Sequence, residues 1–325
     1  MAKKNMVEAI NAGLMEEMEK DPTVMVLGED VGREGGVFRV TDGLQDRFGP
    51  ERVVDTPLAE SGIVGVALGL AVKGFKPVAE LQFMGFLPPA MDQLISHVSR
   101  IRNRSRGRYT APMVIRMPYG GGIRAPEHHS ESMESILAHI PGIKVVIPSM
   151  PYDAKGLVVS AVRDPDPVVF LEPKRVYRAI KEDVPDGEFI VAIGEAKLVR
   201  EGGDVTVITW GAMVREALQA SEQVKEEGVN TEVIDLRTIS PMDDETIMSS
   251  VKKTGRAVIV HEAPKTCGLG AEIIARINEK VLLSLEAPVE RVTGYDTTCP
   301  LMKMEKDYLP SPERIVRGIR KVMAF

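Results

Sequence analysis

RVVDTPLAESGIVGVALGLAVKGFKPVAELQF (52–83) reads as a strand, a helix and a second strand. RVVDT is a short β-branched run. Asp55, Thr56 and Pro57 then have the form of a helix start: a capping side chain, followed by a proline whose missing N–H costs nothing in the first turn. A helix is expected over 57–72, with Gly74 placed to end it. Ile, Val, Leu, Ala and Gly occupy every side of that helix, which predicts burial all round. Glu60 is the residue out of place.

The same alternation extends in both directions. TVMVLGED, APMVIRMP, KVVIPS and PVVFLEP are further strand candidates, and 91–104, 130–139 and 152–163 are helix candidates. The strands are continuous apolar runs without in–out alternation, as suits a parallel sheet covered on both faces. The expected fold class is therefore α/β with a doubly wound parallel sheet. A polar stretch bearing Pro and Gly (174–204) interrupts the pattern. DVTVITWG, TEVIDLRTI and RAVIVHEA then alternate with helix candidates from Met213 to about Glu227, at 243–253 and at 270–285, and SPERIVRGIRKVM closes the chain. The organisation read is a first domain over 1–180, a linker over 181–203 and a smaller α/β domain over 204–325. The second domain has few titratable residues at its strand ends, so the chemistry is expected in the first.

A chain of 325 residues exceeds one ordinary core, and 44% hydrophobic with 27% charged residues describes a globular protein. The net charge of −6 argues against nucleic acid as the main ligand, RIRNRSRGR (100–108) being the one basic stretch. Cys267 and Cys299 form neither a disulfide framework nor a zinc pattern. No apolar run is long enough to span a bilayer, and the N-terminal helix lacks the features of a signal or transit peptide, so the expected location is a reducing cytoplasm.

Ligands of open α/β sheets bind at the carboxyl ends of strands. GED (28–30), TPLAESG (56–62), LQFMGF (81–86) and GGGIRAPEHHSES (120–132) gather there. Glu60 has two structural readings, a capping box and an exposed helix carboxylate. The first fails in register, since position 59 is Ala; the second sits badly in so apolar a segment. Phe83 and Phe86 are core residues or a platform, with Gly85 allowing a planar ligand close approach. His128 and His129 suit acid–base work on a loop; metal ligation is the alternative, although His139 and the cysteines lack ligand spacing. CGLGAEI (267–273) fails the dinucleotide pattern at Ile273, and neither a phosphate loop nor a G-x-S-x-G elbow is present. The site has acid, base and aromatic groups but nothing of its own to hold a phosphate.

DTPLAESG, AELQFMGF, GGGIRAPEHHSES, PGIKVVIP and YDAKGLVVSAVRDPDPVVFLEPKRVYR together resemble the β subunit of 2-oxo acid dehydrogenase E1 components, from about residue 4 to the C-terminus. The resemblance implies a thiamin-diphosphate pyrimidine-binding domain followed by a transketolase C-terminal-like domain. It also implies an α2β2 heterotetramer in which the α subunit holds Mg2+ and the diphosphate through a GDG…N motif absent from this chain. Glu60 would hydrogen-bond N1′ of the aminopyrimidine and, kept from water, favour the tautomer that removes the C2 proton. Phe86 would pack on the pyrimidine, and Glu29, Leu58 and Gln82 would line the cofactor. His129 would meet substrate oxygen and assist acylation of the lipoyl group on the E2 partner, while Phe83, Met84, Gly85 and Phe86 border a small 2-oxo acid, pyruvate or branched-chain. His128 departs from the family pattern. Met113, Ala161, Val162, Asp164 and Asp166 match loop positions through which some members bind potassium. An acetoin dehydrogenase β subunit, a transketolase-type half and a non-catalytic assembly subunit are the alternatives.

Overall fold

The computed structural model describes residues 2–325. The chain runs β1 (Ala2–Lys4), α1 (Met6–Lys20), β2 (Val24–Gly28), α2 (Leu44–Phe48), β3 (Val53–Asp55), α3 (Glu60–Val72) and β4 (Lys76–Glu80). It continues α4 (Ile101–Arg104), β5 (Val114–Tyr119), α5 (Glu134–Ala138), β6 (Lys144–Val146), α6 (Pro151–Arg163) and β7 (Val168–Pro173). The second half comprises β8 (Glu182–Val184), β9 (Lys197–Arg200), β10 (Val205–Thr209), α7 (Met213–Lys225), β11 (Thr231–Asp235) and β12 (Thr238–Ser240). It ends α8 (Asp244–Thr254), β13 (Ala257–Val260), α9 (Leu269–Val281), β14 (Glu290–Val292), α10 (Glu305–Tyr308) and α11 (Pro312–Met323).

A seven-stranded sheet has the order β12-β6-β7-β5-β4-β2-β3, and a five-stranded sheet the order β14-β13-β10-β11-β9. All pairings within them are parallel except those of the edge strands β12 and β9. Both faces of each sheet are covered. Val114, Val168 and Phe170 pack with Met6, Ile10, Leu157 and Val158 of α1 and α6, while Ile115, Val169 and Leu171 pack with Ile63, Val64 and Ala67 of α3. The period of two along a strand thus divides the core into two layers, and β5 and β7 are buried at every position. Helix ends are specified locally. Asn5 and Glu8 form a reciprocal capping box on α1, and Ser311 caps α11 ahead of Pro312.

Several expectations change. The helix expected at 57–72 begins at Glu60, behind an Ala59 cap that makes no side-chain hydrogen bond. Asp55 instead accepts from the Gly32 N–H (2.6 Å), which ties the turn after β3 to the turn after β2. Nor is α3 buried on every side, for Val66 is 57% exposed. Residues 91–104 form successive short π, 3-10 and α turns, and 130–139 contracts to α5. The polar stretch contains β8, paired antiparallel with β1, and β9 at the edge of the second sheet. TEVIDLRTI is two strands in two sheets. The chain leaves the second sheet after Asp235, turns at Arg237 (φ 54°), and adds β12 beside β6. Arg237 donates to Asp153 of α6 (2.9 Å), fastening the crossing. Among the described residues no helix is long and apolar enough to cross a membrane.

One charged cluster lies inside the first sheet. Arg116 of β5 donates to Glu80 at the end of β4 (2.6 Å) and bidentately to Glu172 of β7 (2.7 and 2.9 Å), and Tyr177 donates to Glu172 (2.5 Å). Breaking a buried pair leaves uncompensated charge. Arg116→Met is expected to lower stability by roughly 3–5 kcal/mol, read as a fall in the urea midpoint; an unchanged midpoint would show that the cluster contributes nothing.

Candidate active site

Parallel β2, β3, β4 and β5 end on the same edge, so the turns that follow them share one surface. Glu29 follows β2, Leu58 and Glu60 follow β3, Gln82 to Phe86 follow β4, and the histidine loop follows β5. Glu60 is the first residue of the 13-residue α3, where the helix dipole favours a carboxylate. Burial first, then the neighbouring Asp30 and Glu60 carboxylates, push the Glu29 carboxyl above its usual value. The two acids therefore share one electrostatic environment. Gln82 donates to Asp30 (3.2 Å) beside them. The expected burial of Glu60 does not hold within this chain: its side chain is half-buried, and neighbouring Leu58 is 71% exposed. This surface is one wall, left open among the described residues.

The aromatic side of the wall is built on Phe83. Its ring centroid lies 5.6 Å from Phe86 and 4.4 Å from the His129 imidazole, both edge-on, and His129 also lies 5.2 Å from Phe86. His129 Nδ1 is buried without a hydrogen-bond partner. A Cβ at Gly85 would collide with the His128 carbonyl oxygen, so the missing side chain admits the histidine loop. Met84 is buried and accepts from the Met133 N–H through Sδ (3.3 Å). His128 itself is exposed. Among the described residues no three His, Cys, Asp or Glu side chains are grouped so as to hold a metal ion.

Behind this wall lies a cluster that sequence reasoning missed, contributed largely by the second half of the chain. His261 and Glu262 follow β13 and Asp235 ends β11, all buried, which overturns the expectation that the second domain is poor in titratable groups at its strand ends. Glu262 Oε2 accepts from the Gly121 N–H (3.0 Å), and Glu305 accepts from the N–H groups of Gly122 (2.8 Å) and Arg124 (3.1 Å). Burial, with the nearby Glu262 carboxyl, pushes the Glu134 carboxyl up to about 7, and neither of its oxygens has a hydrogen-bond partner. Burial likewise pushes the Lys174 ammonium down to about 8 and, with Arg291, the His261 imidazole down to about 4. Lys174 Nζ has no hydrogen-bond partner and lies 5.6 Å from the Phe83 ring centroid. The signal available in the sequence was HE directly after the apolar RAVIV, a polar pair carried by a buried strand.

Met113, Ala161, Val162, Asp164 and Asp166 come together at the opposite edge, beside the amino ends of β5 and β7. The Met113 carbonyl accepts from Val168 (3.0 Å) and that of Ala161 from Asp164 (3.3 Å). Lys144 and Arg102 donate to Asp164 and Asp166 (2.6 Å each).

The fold has counterparts among known proteins. Residues 2–180 match the family model for the transketolase pyrimidine-binding domain and 194–315 that for the transketolase C-terminal domain. Pyruvate dehydrogenase E1 component subunit β of Acholeplasma laidlawii is 55% identical over 322 residues, covering 99% of this chain and 98% of the relative. The same-named subunit of Bacillus subtilis is 51% identical over the full length of both chains, and that of Staphylococcus aureus 50%. The chain belongs to the 2-oxo acid dehydrogenase E1 β-subunit family. A split-gene transketolase described as an inactive β4 tetramer shares the fold, with a TM-score of 0.81 over 99% of both chains at 23% identity. The transketolase-like, two-domain α/β architecture and a general use of thiamin diphosphate come with membership of this E1 family.

The Glu134 carboxyl yields a test of the buried cluster. Its value of about 7 in the folded chain exceeds the ordinary 4.5, so folding favours the protonated form, and its contribution to stability is lost as pH rises from about 4.5 to about 7. Glu134→Gln is expected to flatten the dependence of unfolding free energy on pH across that window. Equal slopes for variant and parent would contradict the assignment.

Proposed function

We propose that this chain is the β subunit of an α2β2 E1 component that oxidatively decarboxylates pyruvate with thiamin diphosphate and passes the acyl fragment to lipoyl groups of an E2 partner. What carries the reading is the open wall on which half-buried Glu60 stands beside Glu29 and exposed Leu58, on the same sheet edge as the Phe83–Phe86–His129 aromatic group. The donor set suits an aminopyrimidine: carboxylate oxygen for a ring nitrogen, an aromatic edge and apolar surface, with no phosphate loop. Names of relatives at 50–55% identity favour pyruvate over a branched-chain substrate.

In this reading residues 1–180 bind the pyrimidine end, 181–203 link, and 204–325 form the second domain. Bound thiamin diphosphate would supply the electron sink for the bonding pair left behind when carbon dioxide departs. Glu60 would exchange a proton with N1′, a task made easier once an α subunit covers Leu58 and Val66 and removes water from the carboxylate. Glu29, whose carboxyl is raised by burial and by the neighbouring Asp30 and Glu60, would line the cofactor beside it. Gln82, Leu58 and Phe86 would fix the ring, and His129 would donate to substrate oxygen next to Phe83, Met84 and Gly85. Mg2+ and the diphosphate would be held by the α subunit. Potassium at Met113, Ala161, Val162, Asp164 and Asp166 would brace the far edge of the sheet rather than take part in chemistry. A reducing cytoplasm suits the two free cysteines.

Mixing the chain with a cognate α subunit and thiamin diphosphate is expected to generate decarboxylation that neither chain shows alone. Pyruvate, branched-chain 2-oxo acids and acetoin as parallel substrates separate the members of the class. Full activity of the isolated chain would overturn the shared site. Glu60→Gln is expected to leave the tetramer intact and cut decarboxylation by about 100-fold or more, the range of acid–base contributions; undiminished turnover would instead identify a non-catalytic assembly subunit.

A further inference from the structure

The loop that carries His129 closes on itself, since Gly120 N–H donates to the Glu131 carbonyl (2.8 Å), yet its tip owes its shape to residues far along the chain. Gly120 and Gly122 have φ of 79° and 99°, a left-handed backbone that turns the N–H groups of Gly121, Gly122 and Arg124 toward the second domain. Those N–H groups meet two buried carboxylates. Glu262 takes the first (3.0 Å) and Glu305 the other two (2.8 and 3.1 Å). Bonds from N–H to an ionised carboxylate are the strong kind, and away from water they are stronger still. A side chain at Gly120 would collide with Glu262, and one at Gly122 with Arg175, whose guanidinium is paired with Glu216 of α7 (3.0 Å). The second domain therefore holds the loop from three directions.

Glu262 also acts through a second route. Its carboxyl, which burial pushes above the usual value, acts electrostatically on the Lys174 ammonium, which lies 5.6 Å from the Phe83 ring centroid, and Phe83 packs against His129 at 4.4 Å. The loop backbone and the aromatic wall, both supports of the imidazole, are thus referred to the same carboxylate.

We propose that Glu262 and Glu305 are positioning residues: they clamp the Gly120–Arg124 backbone to the second domain and thereby set where His129 stands relative to substrate. The proposal rests on the reading of His129 as the substrate-facing imidazole, and its test separates the two. Hydrogen exchange of the 120–132 segment, read by mass spectrometry on the full chain, reports the clamp without any turnover. Glu305→Ala is expected to speed exchange at Gly122 and Arg124 at least ten-fold while β5 keeps its protection. Glu305→Gln keeps the oxygen that accepts from both Gly122 (2.8 Å) and Arg124 (3.2 Å) but puts N–H where the second acceptor of Arg124 stood, so Arg124 is expected to exchange at a rate between those of the parent and the Ala variant while Gly122 stays protected. The Gln variant decides the matter even where the Ala variant does not fold. In the tetramer with a cognate α subunit, Glu305→Ala is expected to lower kcat about ten-fold with thiamin diphosphate affinity unchanged, and Glu305→Gln to recover most of that loss. Parental exchange rates in the folded variants would overturn the clamp. Faster exchange with undiminished kcat would leave the clamp standing and overturn the role given to His129.

Discussion

Parallel pairing puts every strand-to-helix turn on one edge of the sheet, and everything chemical in this chain follows from that constraint. β2, β3, β4 and β5 run the same way, so Glu29, Glu60, the Gln82–Phe86 segment and the His129 loop emerge side by side although nearly 100 residues separate the first from the last. The edge is kept rigid from below. Arg116 binds Glu80 and Glu172 across three adjacent strands, and a buried guanidinium so fully paired leaves the strand ends little freedom to slide. Asp55, accepting from Gly32, joins two of the turns directly.

The resulting surface is chemically equipped and sterically open. Glu60 stands at a helix start beside another acid, but it stands half in water, with Leu58 and Val66 bare around it. An acid moved into a dry interface gains reason to share a proton. Openness and chemistry therefore belong together. The apolar composition of α3, which looks excessive for a helix with one exposed side, is what a helix needs if a second subunit is to cover that side.

Local patterns disclosed much of this. Every central strand of both sheets was legible, because buried parallel strands are short apolar runs, and the gathering of Glu60, Phe86 and His129 follows from where those strands end. The start of α3 was not legible. Asp55 and Thr56 have capping side chains, but Asp55 finds a better donor in Gly32, a contact across 23 residues. The broken course of 91–104 and the passage of β12 into the first sheet are likewise tertiary in origin. The reach of Glu262 and Glu305 to the glycine loop, across 141 and 183 residues, is tertiary for the same reason. Gly85 admits the His128 carbonyl, a neighbour 43 residues away that no local pattern discloses.

The most direct test of the account is the rate at which bound thiamin diphosphate exchanges its C2 proton for deuterium, measured by quenched-flow NMR in the assembled tetramer without substrate. The account predicts fast exchange with the parent chain and exchange at least 100-fold slower with Glu60→Gln at full cofactor occupancy, in line with the scale of acid–base catalysis. Equal rates for the two would mean that Glu60 does not activate the cofactor, and the interpretation of this surface would be wrong.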